Sequence, residues 1–327
     1  ISCSLVGSEM CIRDSYHSIT NNAVNPLSLA PSTGFTTVQE NVGKVLNRGF
    51  DLRAGATVWQ QPADRSYLSF SLMISRNKNI LKEISEAMRS YNEQQEELAT
   101  EGNVPVQKYY DGVSMDAIWA MPSLGIDPAN GREIYIAKDE NGNPYRTYTY
   151  DAAQQVICGD ELPKFQGNAG VNFEYKGFDL SIFFQWSYGN DILNANRLFF
   201  ENVNNSRNLN QYASYANRWT PENPYSDIPV AKNSSSNKVV SSRVIEDGSF
   251  LRLKTLTLGY TLPKKALRKW GISTARVYVA GQNLWTISGY SGYDPEVSIR
   301  NSALTPGLDY SAYPRAYAVN FGINLGF

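Results

Sequence analysis

Side chains that could perform catalysis are few in this 327-residue sequence, and they stand far apart. The single histidine is His17, so no Ser-His or Cys-His pair can be built in the rest of the chain. No HExxH, CxxC or glycine-rich phosphate-binding motif occurs. The acidic pairs Asp139-Glu140 and Asp160-Glu161 could be imagined as a glycosidase pair, but scattered loop acids far more often only interact with solvent. The sequence therefore predicts neither an enzyme nor a bound cofactor or metal.

Aromatic and amide side chains in the long polar stretches are better candidates, and the chemistry they offer is binding. Aromatic rings can stack on the faces of sugars, and amides can hydrogen-bond to hydroxyl groups. An open alternative is that these rings pack one loop against another, because aromatic enrichment marks interfaces of every kind. The candidate ligand contacts are Tyr109, Tyr110, Trp119, Asn204, Asn205 and Trp219.

The elements that must position these loops are indicated by the last eleven residues. Apolar side chains alternate there with small or polar ones, which are Ala318, Asn320, Gly322, Asn324 and Gly326. This pattern is typical of an outer-membrane barrel strand, where lipid contacts every second side chain. The alternative is the closing strand of a soluble sandwich. The predicted membrane-insertion strand carries Tyr317, Val319, Phe321, Ile323, Leu325 and Phe327.

Similar alternation predicts hairpins upstream, joined alternately by short turns and long polar segments. The long segments are residues 77–163, which include a weakly helical stretch near residues 80–88, and residues 189–247. Outer-membrane barrels place short turns on the periplasmic side and long loops outside, so we expect a periplasmic carboxy terminus. Residues 276–287 have apolar side chains at both parities, which leaves their faces ambiguous. The predicted strands are residues 47–59, 66–75, 171–175, 178–188, 256–262, 276–287 and 317–327.

The fold class that follows is all-β, an antiparallel transmembrane β-barrel of which about seven carboxy-terminal strands are present, with long extracellular loops. Seven is an odd number, and a complete bacterial barrel has an even one. No apolar run approaches the ~20 residues of a membrane helix. The net charge of -1 excludes the broad basic field that drives nucleic-acid binding. The 21 Tyr, 13 Phe and 6 Trp suit the aromatic girdles of a barrel.

The first fifteen residues have a different character. The segment LVGSEMCIRDS (5–15) resembles the translation of a sequencing adapter, so residues 1–15 are expected to be an artefact and are set apart from the fold. Removing them removes Cys3 and Cys11, and the solitary Cys158 makes neither an intrachain disulfide nor a zinc site. The expected domain is residues 16–327, the carboxy-terminal part of a barrel whose plug and amino-terminal strands are missing.

An ordered set of short motifs from about residue 34 to residue 327 resembles the SusC/RagA family of TonB-dependent outer-membrane transporters. No single motif decides the resemblance, but their order along the chain is specific. The motifs are NVGKV (41–45), NRGF (47–50), PSLGIDP (122–128), YKGFDLS (175–181), QWSYGN (185–190), RWTP (218–221), EDGSFLRLK (246–254), LTLGY (256–260), GQNLW (281–285), YSGYDPE (290–296) and YPR (313–315).

This resemblance implies a plugged barrel of about 22 strands in the outer membrane. It also implies import of oligosaccharides or peptides beneath a SusD-like surface lipoprotein. The TonB complex would supply energy through a segment before the plug, and the barrel assembly machinery would insert the terminal strand. The aromatic loop residues could then pack against the lipoprotein instead of a ligand. An alternative class is an outer-membrane adhesin or structural surface barrel without transport, which would have no plug.

The family resemblance generates a first prediction about the terminal aromatic residue. Deleting Phe327, or replacing it with Asp, is expected to block membrane assembly because the assembly machinery of the resembled family engages the terminal aromatic strand. The measurement is the amount of folded protein at the cell surface, compared with a Phe327→Tyr control that keeps the ring. Normal surface levels of the deletion variant would contradict the prediction.

Overall fold

The computed structural model of the chain describes residues 2–4, 9–28, 37–64, 66–102, 106–139, 141–150, 155–201, 210–231, 239–267, 271–296 and 307–327. The strands, in chain order, are β1 (Ser2–Ser4), β2 (Glu9–Ser28), β3 (Thr37–Gln61), β4 (Ser66–Glu83), β5 (Ala117–Ala120), β6 (Ser123–Ile126), β7 (Glu133–Lys138), β8 (Pro144–Thr147), β9 (Val156–Asp160), β10 (Phe165–Tyr175), β11 (Phe178–Tyr188), β12 (Asp191–Asn194), β13 (Ile245–Asp247), β14 (Phe250–Thr261), β15 (Thr274–Ser288), β16 (Leu308–Asp309) and β17 (Ala318–Gly326). The helices are α1 (Glu86–Gly102), α2 (Ala195–Phe200) and α3 (Lys264–Leu267).

The dominant element is an antiparallel sheet of nine strands in the order β1-β2-β3-β4-β10-β11-β14-β15-β17. Seven of these strands correspond to the seven predicted from the sequence, and β1 and β2 are additional. The helical stretch predicted near residues 80–88 begins only at Glu86, because β4 continues through Glu83. Within the described residues the sheet is open between β1 and β17, and no described helix is long and apolar enough to cross a membrane.

One face of the sheet is continuously apolar, and strand register is what makes it so. Residues paired directly across antiparallel strands have side chains on the same face, so their pairing defines rows across the sheet. One row crosses six neighbouring strands through Leu68, Phe173, Leu180, Leu258, Val279 and Phe321. The next crosses the same strands through Phe70, Val171, Ile182, Leu256, Gly281 and Val319. We call this the apolar face.

The opposite surface, the polar face, carries hydrogen-bonding and charged groups. Its central row contains Ser69, Asn172, Ser181, Thr257, Ala280 and Asn320. The Ser181 hydroxyl donates to Asn172 Oδ1 at 2.8 Å. Arg276 donates from Nε to Asp179 Oδ1 at 2.9 Å, across the intervening strand β14. That pair requires Gly259, because a Cβ there would lie 2.5 Å from Asp179 Oδ1.

Pairing with β14, which contains a bulge, resolves the ambiguous faces of residues 276–287. Thr255 pairs with Phe183 and Leu253 with Phe184, so Lys254 is an extra residue and the parity of the apolar face changes there. Before Lys254 in the chain, the apolar face carries Leu251 and Leu253; after Lys254, towards the short-turn end, it carries Leu256 and Leu258. In β15 the apolar face carries Val277, Val279, Trp285 and Ile287. The sequence pattern could not reveal this, since both parities of β14 and β15 contain apolar residues.

The strand ends differ in a way that fits the predicted alternation of short and long connections. Lys176 and Gly177 form the two-residue turn between β10 and β11, and both have positive φ (48° and 90°), as a type I′ hairpin turn requires. At the other end lie three long loops, which we define as residues 84–164 (first loop), 189–249 (second loop) and 289–317 (third loop). The polar loops are therefore concentrated at one end of the strands.

Two adjacent residues of β14 test which face meets hydrocarbon. In the protein expressed in a bacterial outer membrane, Leu258→Arg should destabilise the barrel by about 2–4 kcal/mol, because the charge would lie in lipid. Thr257→Arg is the matched control, since Thr257 is on the polar face and should retain much more folded protein. The measurement is the folded fraction by electrophoresis without heating. Equal losses for both variants would contradict the assignment of the apolar face.

Candidate functional site

The three long loops pack into one structured unit, which we call the loop body. In the second loop, β12 pairs with β13 and also runs parallel to β16 of the third loop. The first loop, itself ordered by the pairing of β5 with β9, joins the second through a bridge between Met121 and Ser241 and through the Asp160 N–H, which donates to Asp191 Oδ2 at 2.9 Å. A shared core fills the interior with residues of all three loops, namely Ile118, Ala120, Leu193, Ala195, Leu198, Val240 and Val244, with Leu308 packed against it. The loops therefore form a preorganised surface.

Buried charges reinforce the loop body. Arg197 Nε lies 2.8 Å from Glu201 Oε2, and Arg197 Nη1 lies 3.2 Å from Glu246 Oε1. Arg243 forms longer ion pairs, at 3.5 Å with Glu133 and at 3.6 Å with Glu201. Breaking a buried pair by removing one partner leaves an uncompensated charge, which is strongly destabilising. This network joins the first and second loops in one arrangement.

The third loop is anchored on the polar face of the sheet by Arg252. This side chain is almost fully buried; it donates to Asp294 Oδ1 at 2.6 Å and to the Thr286 hydroxyl at 2.9 Å, and it also pairs with Glu296. Burial alone would raise the pKa of Asp294, but the Glu296 backbone N–H and Arg252 hold that pKa below its ordinary value. Gln185 donates to Glu296 at 3.0 Å. The motif at residues 290–296 is therefore bound over the polar face.

An acidic cavity of about 430 Å³ lies where the loop body meets the polar face, between Asp116, Glu161, Gln185 and Glu296. Burial raises the pKa of Glu161 to about 8 and that of Asp116 to about 6, and nearby carboxylates add to both shifts. Burial also raises the pKa of Asp191. No group of three or more potential ligands in the described part of the chain could hold a metal ion.

A second cavity, of about 470 Å³, lies between the second and third loops and is neutral. Phe200 and Tyr212 contact each other in its wall with ring centroids 5.1 Å apart. Tyr293 and Tyr313 also line it, with 73% and 94% of their surface exposed. The sequence reasoning missed this site. Both tyrosines lie in motifs that carried the family resemblance, YSGYDPE and YPR, but nothing in the spacing indicated that the motifs meet in space.

The structure separates the aromatic residues predicted as ligand contacts. Tyr109 is 1% exposed and packs in a core with Met88, so its ring is not accessible to a ligand in this structure. Tyr110 is at the surface and its ring lies 5.3 Å from that of Trp119. The Trp119 indole donates to the Lys108 carbonyl at 2.9 Å. Tyr109 therefore fits the alternative of packing within a loop, whereas Tyr110 and Trp119 form a partly accessible pair.

Trp219 lies elsewhere in the loop body, against the turn at residues 127–131. Its indole donates to the Pro128 carbonyl at 3.0 Å, and its ring occupies the space above Gly131, where a Cβ would lie 2.5 Å away. Gly131 has φ of 69°, a conformation that also favours glycine. Asn204 and Asn205 lie outside the described residues.

The predicted membrane-insertion strand forms β17, which is one residue shorter at each end than predicted. Val319, Phe321 and Ile323 pair with Gly281, Val279 and Val277 and so continue the apolar rows. Tyr317 and Phe327 flank the strand and are 76% and 90% exposed. Leu325 pairs with Ala275 on the same face. The predicted alternation of this segment is confirmed.

Comparison with known proteins identifies relatives of this chain. The chain is 31% identical to TonB-dependent receptor P3 of Formosa agariphila over 333 residues, which cover 96% of this chain and 32% of that protein. It is 24% identical to TonB-dependent receptor SusC of Bacteroides thetaiotaomicron, covering 96% of this chain and 30% of SusC. No protein-family model matches the chain.

Solved structures with a similar fold come from the same group of proteins. The RagAB peptide transporter superposes with a TM-score of 0.77 at 25% identity, covering 98% of this chain and 34% of the matched chain. The RagAB peptide importer in its closed-closed state gives a TM-score of 0.75 at 24% identity. The chain spans about a third of the length of the curated relatives that it matches.

The open antiparallel sheet with one apolar face, one polar face and its long loops at one end is the architecture of an outer-membrane β-barrel protein. The chain belongs to the TonB-dependent receptors and, among these, is a SusC/RagA-like segment. Members of this family are transport receptors and not enzymes.

The acidic cavity yields a prediction about pH. Because the pKa of Glu161 rises from 4.5 to about 8 on folding, the folded state holds an extra proton between these values. The protonated Glu161 therefore contributes its full stabilisation of the folded state below about pH 4.5. This contribution is lost as pH rises through about 8. Glu161→Gln should flatten this dependence, since the neutral amide still accepts the bond from the Gly307 N–H.

The measurement is hydrogen exchange of the loop-body core at about pH 5 and about pH 9, corrected for the intrinsic rate at each pH. The wild-type protein should lose more than about tenfold of its protection on this change, and the Glu161→Gln variant should lose less. Glu222→Gln, at an exposed position of the second loop, is the control and should behave as wild type. An unchanged pH dependence in Glu161→Gln would show that this carboxyl does not control loop stability.

Proposed function

We propose that residues 16–327 form the carboxy-terminal part of a roughly 22-stranded, plugged barrel of a TonB-dependent importer for oligosaccharides or peptides. The observation that carries this proposal is the apolar row across six strands, which lies opposite a polar face to which loop residues are anchored. Such a surface suits a wall with lipid on one side and a wet, occupied interior on the other. The names of the relatives supply the transport class.

The proposed boundary at residue 16 is supported by the register of β2. Arg13 pairs with Leu52, and Cys11 pairs with Ala54, so both stand at positions of the apolar face. Met10 is at an opposite-face position and is 61% exposed. Alternation in this segment is thus reversed relative to the sheet, and Arg13 stands on the apolar face in the row of Trp186, near the long-loop end of the strands. A non-native origin of residues 1–15 explains the mismatch, and the genomic sequence of the locus tests it.

The proposed orientation places the loop body outside the cell and the carboxy terminus in the periplasm. Gly326 pairs with Thr274, so Phe327 follows at the end of the sheet that also has the short connections at residues 176–177 and 262–273. Short connections face the periplasm in outer-membrane barrels. The loop body at the opposite end would then meet the substrate and a SusD-like lipoprotein.

Binding is assigned within this proposal to the loop body. Tyr110, Trp119 and Trp219 are the accessible candidates among the described residues, and Asn204 and Asn205 are retained as expected contacts. The proposed partners are the SusD-like lipoprotein above the loops, outer-membrane lipid around the apolar face, and the barrel assembly machinery during insertion. The TonB complex would act through a region before this segment. The similar proteins include a peptide importer and SusC, so both substrate classes stay within the proposal.

The test is uptake by cells that carry or lack the complete gene. Deleting the gene should abolish uptake of labelled oligosaccharides or peptides, and deleting tonB in a cell with the intact gene should have the same effect. Restoring the wild-type gene is the control and should return uptake to its original rate. Uptake that persists without the gene, combined with loss of attachment to surfaces, would instead support the adhesin alternative. A complete gene that encodes no plug before the barrel would also refute transport.

A further inference from the structure

We propose that the neutral cavity between the second and third loops is a binding site for an uncharged saccharide unit. The cavity is lined by Tyr293 and Tyr313 from the third loop and by Asn196, Asn210, Gln211 and Tyr212 from the second. The inference rests on the proposed import function, which it narrows to a ligand class and a place. None of these residues was among the contacts expected from the sequence.

Two aromatic rings that line the cavity are accessible to a ligand. Tyr313 is 94% exposed and Tyr293 is 73% exposed, although other tyrosines of the same loops are buried, such as Tyr215 at 7%. A tyrosine ring offers a flat apolar face together with a polar hydroxyl tip. The C–H faces and hydroxyl edges of a sugar ring match these two properties, so the exposed rings supply stacking platforms.

The polar groups of the cavity are neutral, and this favours a saccharide over a peptide. The Asn210 and Gln211 amides carry both donor and acceptor groups, which suits hydroxyl groups, whereas the Asn196 Oδ1 already accepts a hydrogen bond from the Ser311 N–H. Burial, together with neighbouring tyrosine and carboxylate groups, raises the pKa of Tyr212 to about 12, so its hydroxyl stays protonated near neutral pH. None of the six residues could neutralise a peptide terminus. The other cavity differs in this respect, because the carboxyl groups of Asp116, Glu161 and Glu296 line it.

The walls of the cavity are fixed before any ligand arrives. Asn196 is 2% exposed, and its Oδ1 accepts a hydrogen bond from the Ser311 N–H at 2.6 Å, which ties the second loop to the third. The Tyr212 N–H donates to the Phe200 carbonyl at 3.0 Å, and the two rings are in contact. A preformed wall reduces the entropy lost on binding. The wall that the second loop supplies is therefore preformed.

The experiment uses the complete transporter purified in detergent, and the probes are maltohexaose, laminarihexaose, xylohexaose and uncapped hexa-alanine. Calorimetry should detect binding of at least one hexasaccharide, and Tyr293→Ala and Tyr313→Ala should each weaken it by about tenfold because a stacking platform is lost. Tyr293→Phe and Tyr313→Phe keep the ring and should retain most of the affinity. Tyr225→Ala is the matched control, since Tyr225 is 87% exposed in the second loop and does not line the cavity.

The proposal is overturned if no hexasaccharide binds, if only hexa-alanine binds, or if both alanine variants bind as tightly as wild type. Folding of each variant is checked by electrophoresis without heating, and the high exposure of both rings predicts no loss there. Uptake measurements separate this site from the import function. If uptake depends on TonB but the alanine variants bind as tightly as wild type, only the proposed site is refuted. If binding depends on the tyrosines but no uptake occurs, only the import function is refuted.

Discussion

The structure depends on the register of the strands in the nine-stranded sheet. Side chains alternate between the two faces of a strand, so a shift of one residue would move every apolar group to the wrong surface. The pairing of Phe173 with Leu180 and of Val279 with Phe321 keeps the apolar groups in line from one strand to the next. Specific side-chain pairs accompany this register on the other surface, including the ion pair of Asp179 with Arg276 above Gly259. One arrangement therefore satisfies both an apolar and a polar environment.

Side-chain contacts with the sheet hold the loops in position. Arg252 stands on the polar face of β14, and its contacts with Asp294 and Glu296 bring the third loop over that face. The parallel pairing of β12 with β16 then joins the third loop to the second, and the pairing of β5 with β9 completes the first. A surface built this way can present separate cavities of different charge, one acidic and one neutral. The loop body therefore presents two chemically distinct surfaces.

Individual residues show how far sequence reasoning reached. The alternation in β17 and in the hairpin of β10 and β11 predicted both strands and both faces, because each strand has a clean period of two. Local turn chemistry agreed, as in the Lys176-Gly177 turn. The reasoning was weaker for β14, where the bulge at Lys254 changes the parity midway. It was weakest for the loop contacts, since Tyr109 and Tyr110 are adjacent in sequence yet one is buried and the other is at the surface.

The sequence by itself determined the class of the protein: short alternating strands, alternating connection lengths and an ordered set of family motifs. These properties are local or follow chain order, so they can be read without coordinates. The tertiary structure decided which loop residues meet, which carboxyls are buried beside one another and which aromatic rings remain accessible. Those features arise from contacts between segments far apart in the chain, such as Asn196 with Ser311, and no periodic pattern in the sequence encodes such a contact.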